Sequence, residues 1–185
     1  MAQTQAEKIW ESVIKVRETS PVVHNITNYV VMNNTANALL ALGASPVMAH
    51  AAEEMLDMVN IASALVINIG TLSREWVRSM IAAAGHANSR GIPVILDPVG
   101  AGATAYRTET ARDFVREIRP AIIRGNASEV MAVCSDLART KGVDSTRASH
   151  DALDAGRELN REYGAVVCIS GETDYVISGS AVMKV

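Results

Sequence analysis

Hydrophobic and polar positions along this chain follow two periods in turn. A period near 3.6 predicts helices over Gln5–Glu18, Asn33–Leu42, Ala52–Ala62, Ser73–Ser89, Thr108–Ile118, Ala127–Arg139 and His150–Tyr163. In the third, Met55, Leu56, Val59 and Ala62 share a face, and in the fourth Trp76, Val77, Met80, Ile81 and Ala84 do so. Between the helices lie short runs at Pro46–Met48, Ala64–Ile69, Pro93–Leu96, Ala121–Ile123 and Ala165–Ile169. These runs are uniformly apolar, as strands buried on both faces of a parallel sheet are. Strand following helix following strand implies right-handed crossovers and a three-layer α/β fold around a mostly parallel sheet. Asp174–Ile177 and Ala181–Val185, joined by Ser178-Gly179-Ser180, read as a hairpin. The stretch Pro21–Asn28 mixes apolar and polar residues without clear period and receives no element.

Length and composition narrow the class. A chain of 185 residues is expected to form a single α/β domain over 1–185. Hydrophobic residues make up 49% and aromatics only 4%, so the core must be aliphatic. A net charge of −3 leaves no basic stripe for a nucleic-acid backbone. No apolar stretch approaches the ~20 residues that cross a bilayer, and the N-terminus lacks the basic and apolar regions of a signal peptide. A cytoplasmic location is the expectation, with neither nucleic acid nor membrane as partner. Cys134 and Cys168 stand far apart, and the histidines His24, His50, His86 and His150 form no ligand-spaced pair. The chain ends inside or just after an apolar strand, which suggests that more sequence or another chain covers it.

Ligands of open parallel sheets sit outside the carboxyl ends of the strands, so the informative residues follow each apolar run. After Pro93–Leu96 comes Asp97-Pro98-Val99-Gly100-Ala101-Gly102, where Asp97 either holds a Mg²⁺ that bridges phosphates or bonds its own turn. After Ala121–Ile123 comes Arg124-Gly125-Asn126-Ala127-Ser128-Glu129. The planar fork of Arg124 suits phosphate oxygens. Asn126 and Glu129 have the spacing of a capping box, so Glu129 either satisfies backbone donors or adds a second acid near a metal. Ser170-Gly171-Glu172-Thr173-Asp174 is either a phosphate contact or a polar turn. His24, Asn25, Thr27 and Asn28, with Met48, Asn68 and Gly70, line the other strand ends as walls of a small pocket. The thioether of Met48 suits a flat heteroaromatic ring, or packs in the core. GxSxG, HExxH, GxxxxGK[ST] and GxGxxG are absent from the sequence.

Several blocks, in order from about Pro21 onward, resemble the hydroxyethylthiazole kinase family of the ribokinase-like superfamily. They are Val23-His24-Asn25-Ile26-Thr27-Asn28, Thr35-Ala36-Asn37, Ala41-Leu42-Gly43-Ala44-Ser45-Pro46, Asn68-Ile69-Gly70-Thr71-Leu72, Leu96-Asp97-Pro98-Val99-Gly100-Ala101-Gly102, Arg124-Gly125-Asn126-Ala127-Ser128-Glu129 and Lys141-Gly142-Val143-Asp144-Ser145. The resemblance implies a ribokinase-like fold and ATP-dependent phosphorylation of 4-methyl-5-(2-hydroxyethyl)thiazole in thiamine biosynthesis, with ATP and Mg²⁺ as cofactors. It implies nucleotide contacts at Arg124 and Ser170, where the family carries Thr, and metal-site acids at Asp97 and Glu129. It implies substrate contacts at Met48, Asn25 and Gly70, and homotrimers with thiazole pockets between subunits. The family's Gly-Thr-Gly-Cys segment, its anion hole, is expected beyond Val185, so no catalytic residue is assigned within the chain. The alternative is a non-catalytic binder of thiazole or nucleotide. On this reading the 185-residue chain by itself shows little or no thiazole phosphorylation, since a lost backbone cradle costs ~10²-fold or more. Robust turnover by the purified chain with ATP, Mg²⁺ and the thiazole alcohol would overturn that expectation.

Overall fold

The computed structural model describes residues 4–135 and 145–185. Its elements in chain order are α1 (Gln5–Thr19), β1 (Val22–Ile26), α2 (Met32–Leu42), β2 (Ser45–Val47), α3 (Met55–Ile61), β3 (Ala64–Asn68), α4 (Arg74–Ser89), β4 (Val94–Asp97) and α5 (Ala105–Asp113). There follow β5 (Ile122–Asn126), α6 (Ala127–Cys134), α7 (Ser145–Tyr163), β6 (Val166–Ser170), β7 (Tyr175–Ser178) and β8 (Ala181–Lys184). The strands form one sheet in the order β2-β1-β3-β4-β5-β6-β7-β8. Strands β1 to β6 are parallel, and β7 and β8 are antiparallel. The chain reverses its direction of travel across the sheet between β1 and β3, so the crevice expected of such a sheet opens there. Right-handed crossovers then place α2 on one face and α3 to α7 on the other. Packing follows that division: α1 lies against α2, while α3 packs on α4, α4 on the Phe114–Ile118 turn that ends α5, α5 on α6, and α6 on α7.

The sequence reading missed β1. Val22, Val23 and Ile26 have the residue type of a strand, but His24 and Asn25 break the apolar run. Both polar residues are buried, at 0% and 1% exposure, so the strand is central in spite of them. Helix α5 begins three residues before the predicted start because Thr104 caps it, accepting from the Arg107 amide at 3.3 Å. Its last turn, Phe114–Ile118, widens into a π-helical turn. Helix α3 begins at Met55 rather than Ala52 and lacks a side-chain cap. The remaining strands lie within a residue or two of the predicted runs, apart from β5, which extends to Asn126. The hairpin forms as expected, with Gly179 in the left-handed region at φ +58°. The predicted helix end after Ser135, and the Lys141–Asp144 part of the family block, lie outside the described residues.

The two faces of the sheet are not equally covered, contrary to the uniform burial expected from the apolar runs. Ile26, Ile67, Leu96, Ile123, Val167 and Ile177 stand in register across six strands, and each is at most 1% exposed. On the opposite face the in-register row Val66, Ile95, Ile122 and Val166 is half-buried. Among the described helices only α1 and α2 belong to that side. Ile67 sits at the middle of the buried ladder, so Ile67→Ala is expected to destabilise the fold by ~2–5 kcal/mol. Urea unfolding of the two proteins measures the loss, and a difference below ~1 kcal/mol would show that the ladder is not the principal core.

Candidate active site

Met48, Asn25, Gly70, Asp97 and Ser170 fall at or near the carboxyl ends of strands, Arg124 lies in the middle of β5 because that strand runs two residues past it, and Glu129 sits in the first turn of the helix after β5. Following the strand order, Met48 comes after β2, Asn25 lies in β1, Gly70 follows β3, Asp97 ends β4, Arg124 lies in β5 and Ser170 ends β6. With strands ~4.8 Å apart, Met48 and Ser170 lie roughly 24 Å from each other. One small ligand cannot touch both, whereas neighbouring members of the series are one strand spacing apart.

Side-chain hydrogen bonds join the middle of this line. Asn28 Nδ2 donates to Asn68 Oδ1 at 2.8 Å, and Asn68 Nδ2 donates to Asp97 Oδ2 at 2.8 Å. Arg124 Nη1 lies 3.9 Å from the same Asp97 oxygen, with the arginine side chain 55% exposed. Asp97 Oδ1 is buried and has no hydrogen-bond partner. Burial raises the pKa of Asp97 above the usual carboxylate value, the Arg124 charge and the Asn68 bond lower it, and the Glu129 charge raises it.

Glu129 realises the capping role. Its Oε2 accepts from the Asn126 amide at 2.9 Å, and the Asn126 side chain accepts from the Glu129 amide at 2.9 Å. The second oxygen, Oε1, accepts from the Gly100 amide at 2.9 Å, which ties the loop after β4 to the start of α6. Among the described residues no three His, Cys, Asp or Glu side chains converge as a metal cluster. Ser170 lines a cleft of about 180 Å³ with Ala127, Ile169 and the turn that follows, which Asp174 shapes by accepting from the Gly171 amide.

On the other side, Met48 is half-buried in the loop after β2. Asn25 is buried; its Nδ2 donates to the Val23 carbonyl and its Oδ1 has no partner. His24 Nε2 lies 2.9 Å from the Ala49 carbonyl oxygen, which only accepts, so Nε2 carries the proton and the unpartnered Nδ1 is bare. The His50 ring leans at a tilt against Trp76, with ring centres 4.8 Å apart, and Trp76 also meets Tyr29. Neither thiol is activated: burial pushes Cys134 up to about 11 and raises Cys168 as well.

Sequence reasoning missed Arg107. Its guanidinium donates to the carbonyls of Ile69, Gly70 and Val99 at 2.8 to 3.0 Å, clamping the loop after β3 to the loop after β4. With α5 expected to start at Thr108, Arg107 read as a loop residue, and bonds to carbonyls 37 and 38 residues away leave no local signal.

The match to known proteins covers this whole arrangement. The model of the hydroxyethylthiazole kinase family fits residues 13–185. This chain belongs to that family. The hydroxyethylthiazole kinase of Syntrophus aciditrophicus is 61% identical over 184 residues, covering 99% of this chain and 68% of the relative. That of Nitratidesulfovibrio vulgaris (Hildenborough) is 55% identical and covers 96% of this chain and 66% of the relative. The structure of a hydroxyethylthiazole kinase protein from Pyrococcus horikoshii superposes with a TM-score of 0.86 at 44% identity, over 96% of this chain and 66% of that one. The chain thus spans about two thirds of the length of the relatives it matches. An Anopheles gambiae adenosine kinase, 11% identical with a TM-score of 0.56, shares the fold. No described helix is long and apolar enough to cross a membrane.

Burial holds His24 below its ordinary value near 6.5, with the Ala49 hydrogen bond opposing. The unfolded chain takes up this proton as pH falls through about 6.5, while the folded protein does not, so stability falls with pH there. His24→Gln is expected to flatten the loss of urea stability between about pH 7.5 and about pH 5.5. An unchanged slope would place the responsible proton elsewhere.

Proposed function

We propose that the protein transfers the γ-phosphoryl group of ATP to the hydroxyl of 4-methyl-5-(2-hydroxyethyl)thiazole. The observation that carries this reading is the spatial order of the strand ends. Met48, Asn25 and Gly70 flank the crevice between β2, β1 and β3; Asp97 stands next to them on β4; Arg124 and Ser170 follow on β5 and β6. An alcohol on the first group and a triphosphate on the last would meet at Asp97. A non-catalytic binder has less support, since every kinase block quoted above is intact and the relatives bear the name of the kinase.

Met48 would pack on the thiazole ring, with Asn25 Oδ1 and the Gly70 backbone beside it. The Arg124 fork would donate to phosphate oxygens, and the Ser170 hydroxyl would add a second contact. The buried, unpartnered Asp97 Oδ1 fits a site that lacks one positive or donor group, and so fits Mg²⁺. Magnesium is held through one or two carboxylates plus phosphates rather than by a dense protein cage, consistent with the sparse acids here. Asp97 would hold it, and Glu129, both of whose oxygens already serve backbone amides, would contribute charge. The bound ion would neutralise the phosphate charge that develops during transfer. Tyr29, Val30, Leu40, Leu56 and Ile61 are exposed on the segments that follow β1 and β2, and a homotrimer whose thiazole pockets lie between subunits would cover part of this surface. A cytoplasmic location, where ATP is at hand, accords with this reading.

The test pairs binding with turnover. Arg124→Ala is expected to weaken Mg·ATP binding to the chain about tenfold or more, as the loss of a hydrogen bond to a charged group does. In a chimera carrying the remaining third of the Syntrophus aciditrophicus relative, Asp97→Ala is expected to lower thiazole phosphate formation by about 10²-fold while the melting temperature barely changes. Unaltered ATP affinity in the first variant, or undiminished turnover in the second, would remove the assigned roles.

A further inference from the structure

Two buried asparagines stand behind Asp97, and the reaction as described uses neither. Asn28 and Asn68 are each 6% exposed. An amide side chain can be turned end for end, but here backbone donors settle both orientations. Asn28 Oδ1 accepts from the Val30 and Val31 amides at 3.0 and 3.2 Å, which leaves its Nδ2 to face Asn68. Asn68 Oδ1 accepts from the Gly70 amide at 2.9 Å as well as from Asn28, which fills both lone pairs and leaves its Nδ2 to face Asp97. The polar sense of the line is therefore forced: each amide accepts on the β1 side and donates toward the carboxylate. The line also lies tight beneath the backbone, since a Cβ on Gly70 would come within 2.5 Å of Asn28 Nδ2.

We propose that Asn28 and Asn68 are positioning residues that fix the Asp97 carboxylate by one oxygen, Oδ2, and leave Oδ1, which has no protein partner, to the ligand. The proposal deepens the kinase reading, and rests on it for the identity of that ligand. The relay also binds the carboxylate to the turn carrying the exposed Tyr29 and Val30, so the start of α2 and the acid move as one unit.

The test uses the full chain labelled with ¹⁵N, with the two side-chain amides assigned by their loss in Asn28→Asp and Asn68→Asp. Both are expected to exchange with solvent at least ~10²-fold more slowly than the exposed Asn34 side chain, as buried, bonded groups do. Asp97→Ala leaves both asparagines in place. It is expected to speed exchange of the Asn68 amide about tenfold or more and to shift the Asn28 amide resonance. Unchanged Asn68 exchange in Asp97→Ala overturns the proposal. The second readout is Mn²⁺·ATP binding by Asn28→Asp, which keeps the acceptor for Val30 and Val31 but cannot donate onward; Asn28→Ser replaces it if the first fails to fold. An affinity about tenfold weaker than that of the unaltered chain supports positioning, and an equal affinity overturns it. Failure of the unaltered chain to bind Mn²⁺·ATP would count against the kinase reading, while the amide exchange still decides the relay.

Discussion

The register of one apolar ladder places the polar row at the carboxyl ends of the central strands. Ile67, Leu96 and Ile123 stand side by side in β3, β4 and β5, with almost no exposed surface. The residues that follow them are Asn68, Asp97 and Arg124. Because strand side chains alternate between faces, all three of these turn away from the buried ladder onto the opposite face. Asn68 and Asp97 are themselves register partners, and the pairing of Leu96 with Ile123 brings Arg124 beside Asp97. A slip of one residue in any of these strands would exchange the core side chain for the polar one, so burial of the ladder and assembly of the polar row are a single constraint.

That placement carries a cost in stability, concentrated where ligands are expected. The buried side-chain atoms without partners are His24 Nδ1, Asn25 Oδ1 and Asp97 Oδ1 among the described residues. They sit at the centre and carboxyl half of β1 and at the carboxyl end of β4. An unsatisfied buried polar group costs ~1–3 kcal/mol, which a fold keeps only where something else supplies the missing bond or where function requires the residue. The surrounding clamps offset part of it. Arg107 binds three carbonyls of the neighbouring loops, and Glu129 binds two amides, so the loops that frame the unsatisfied atoms are themselves well tied.

What the sequence made legible and what it hid divide along the same line. The apolar runs and amphipathic helices were readable because periodicity reports burial directly, as at Met80, Ala84, Leu96 and Val167. β1 was not, because His24 and Asn25 stand where a central strand would carry aliphatic residues, and their burial breaks the local pattern. The uneven cover of the two faces was hidden for another reason. Ile95 and Ile122 are aliphatic like Leu96 and Ile123, and only three-dimensional packing separates them. For the candidate site, position after a strand was enough to pick out Asp97, Arg124 and Ser170 as candidates, whose roles remain proposals. It did not find Arg107, whose reach to carbonyls 37 and 38 residues away has no local signature. The capping spacing at Asn126 and Glu129 was legible, but the third bond, to Gly100, was not.

The contact between Asp97 and Arg124 differs from that of a structural ion pair. At 3.9 Å, with Arg124 more than half exposed, the guanidinium is held loosely and solvent screens most of the attraction. Burial outweighs it at Asp97, whose pKa stays raised with the arginine in place. A structural ion pair would show the opposite balance, with a carboxyl drawn below its usual value by a bidentate partner. The firm bond to this carboxylate comes instead from Asn68, a neutral donor, which orients it without discharging it. The arginine is left free to turn toward an incoming anion, and the acid retains an unspent oxygen and a need for positive charge. A phosphate and its cation would satisfy both residues at once, each meeting the group that the protein leaves incomplete.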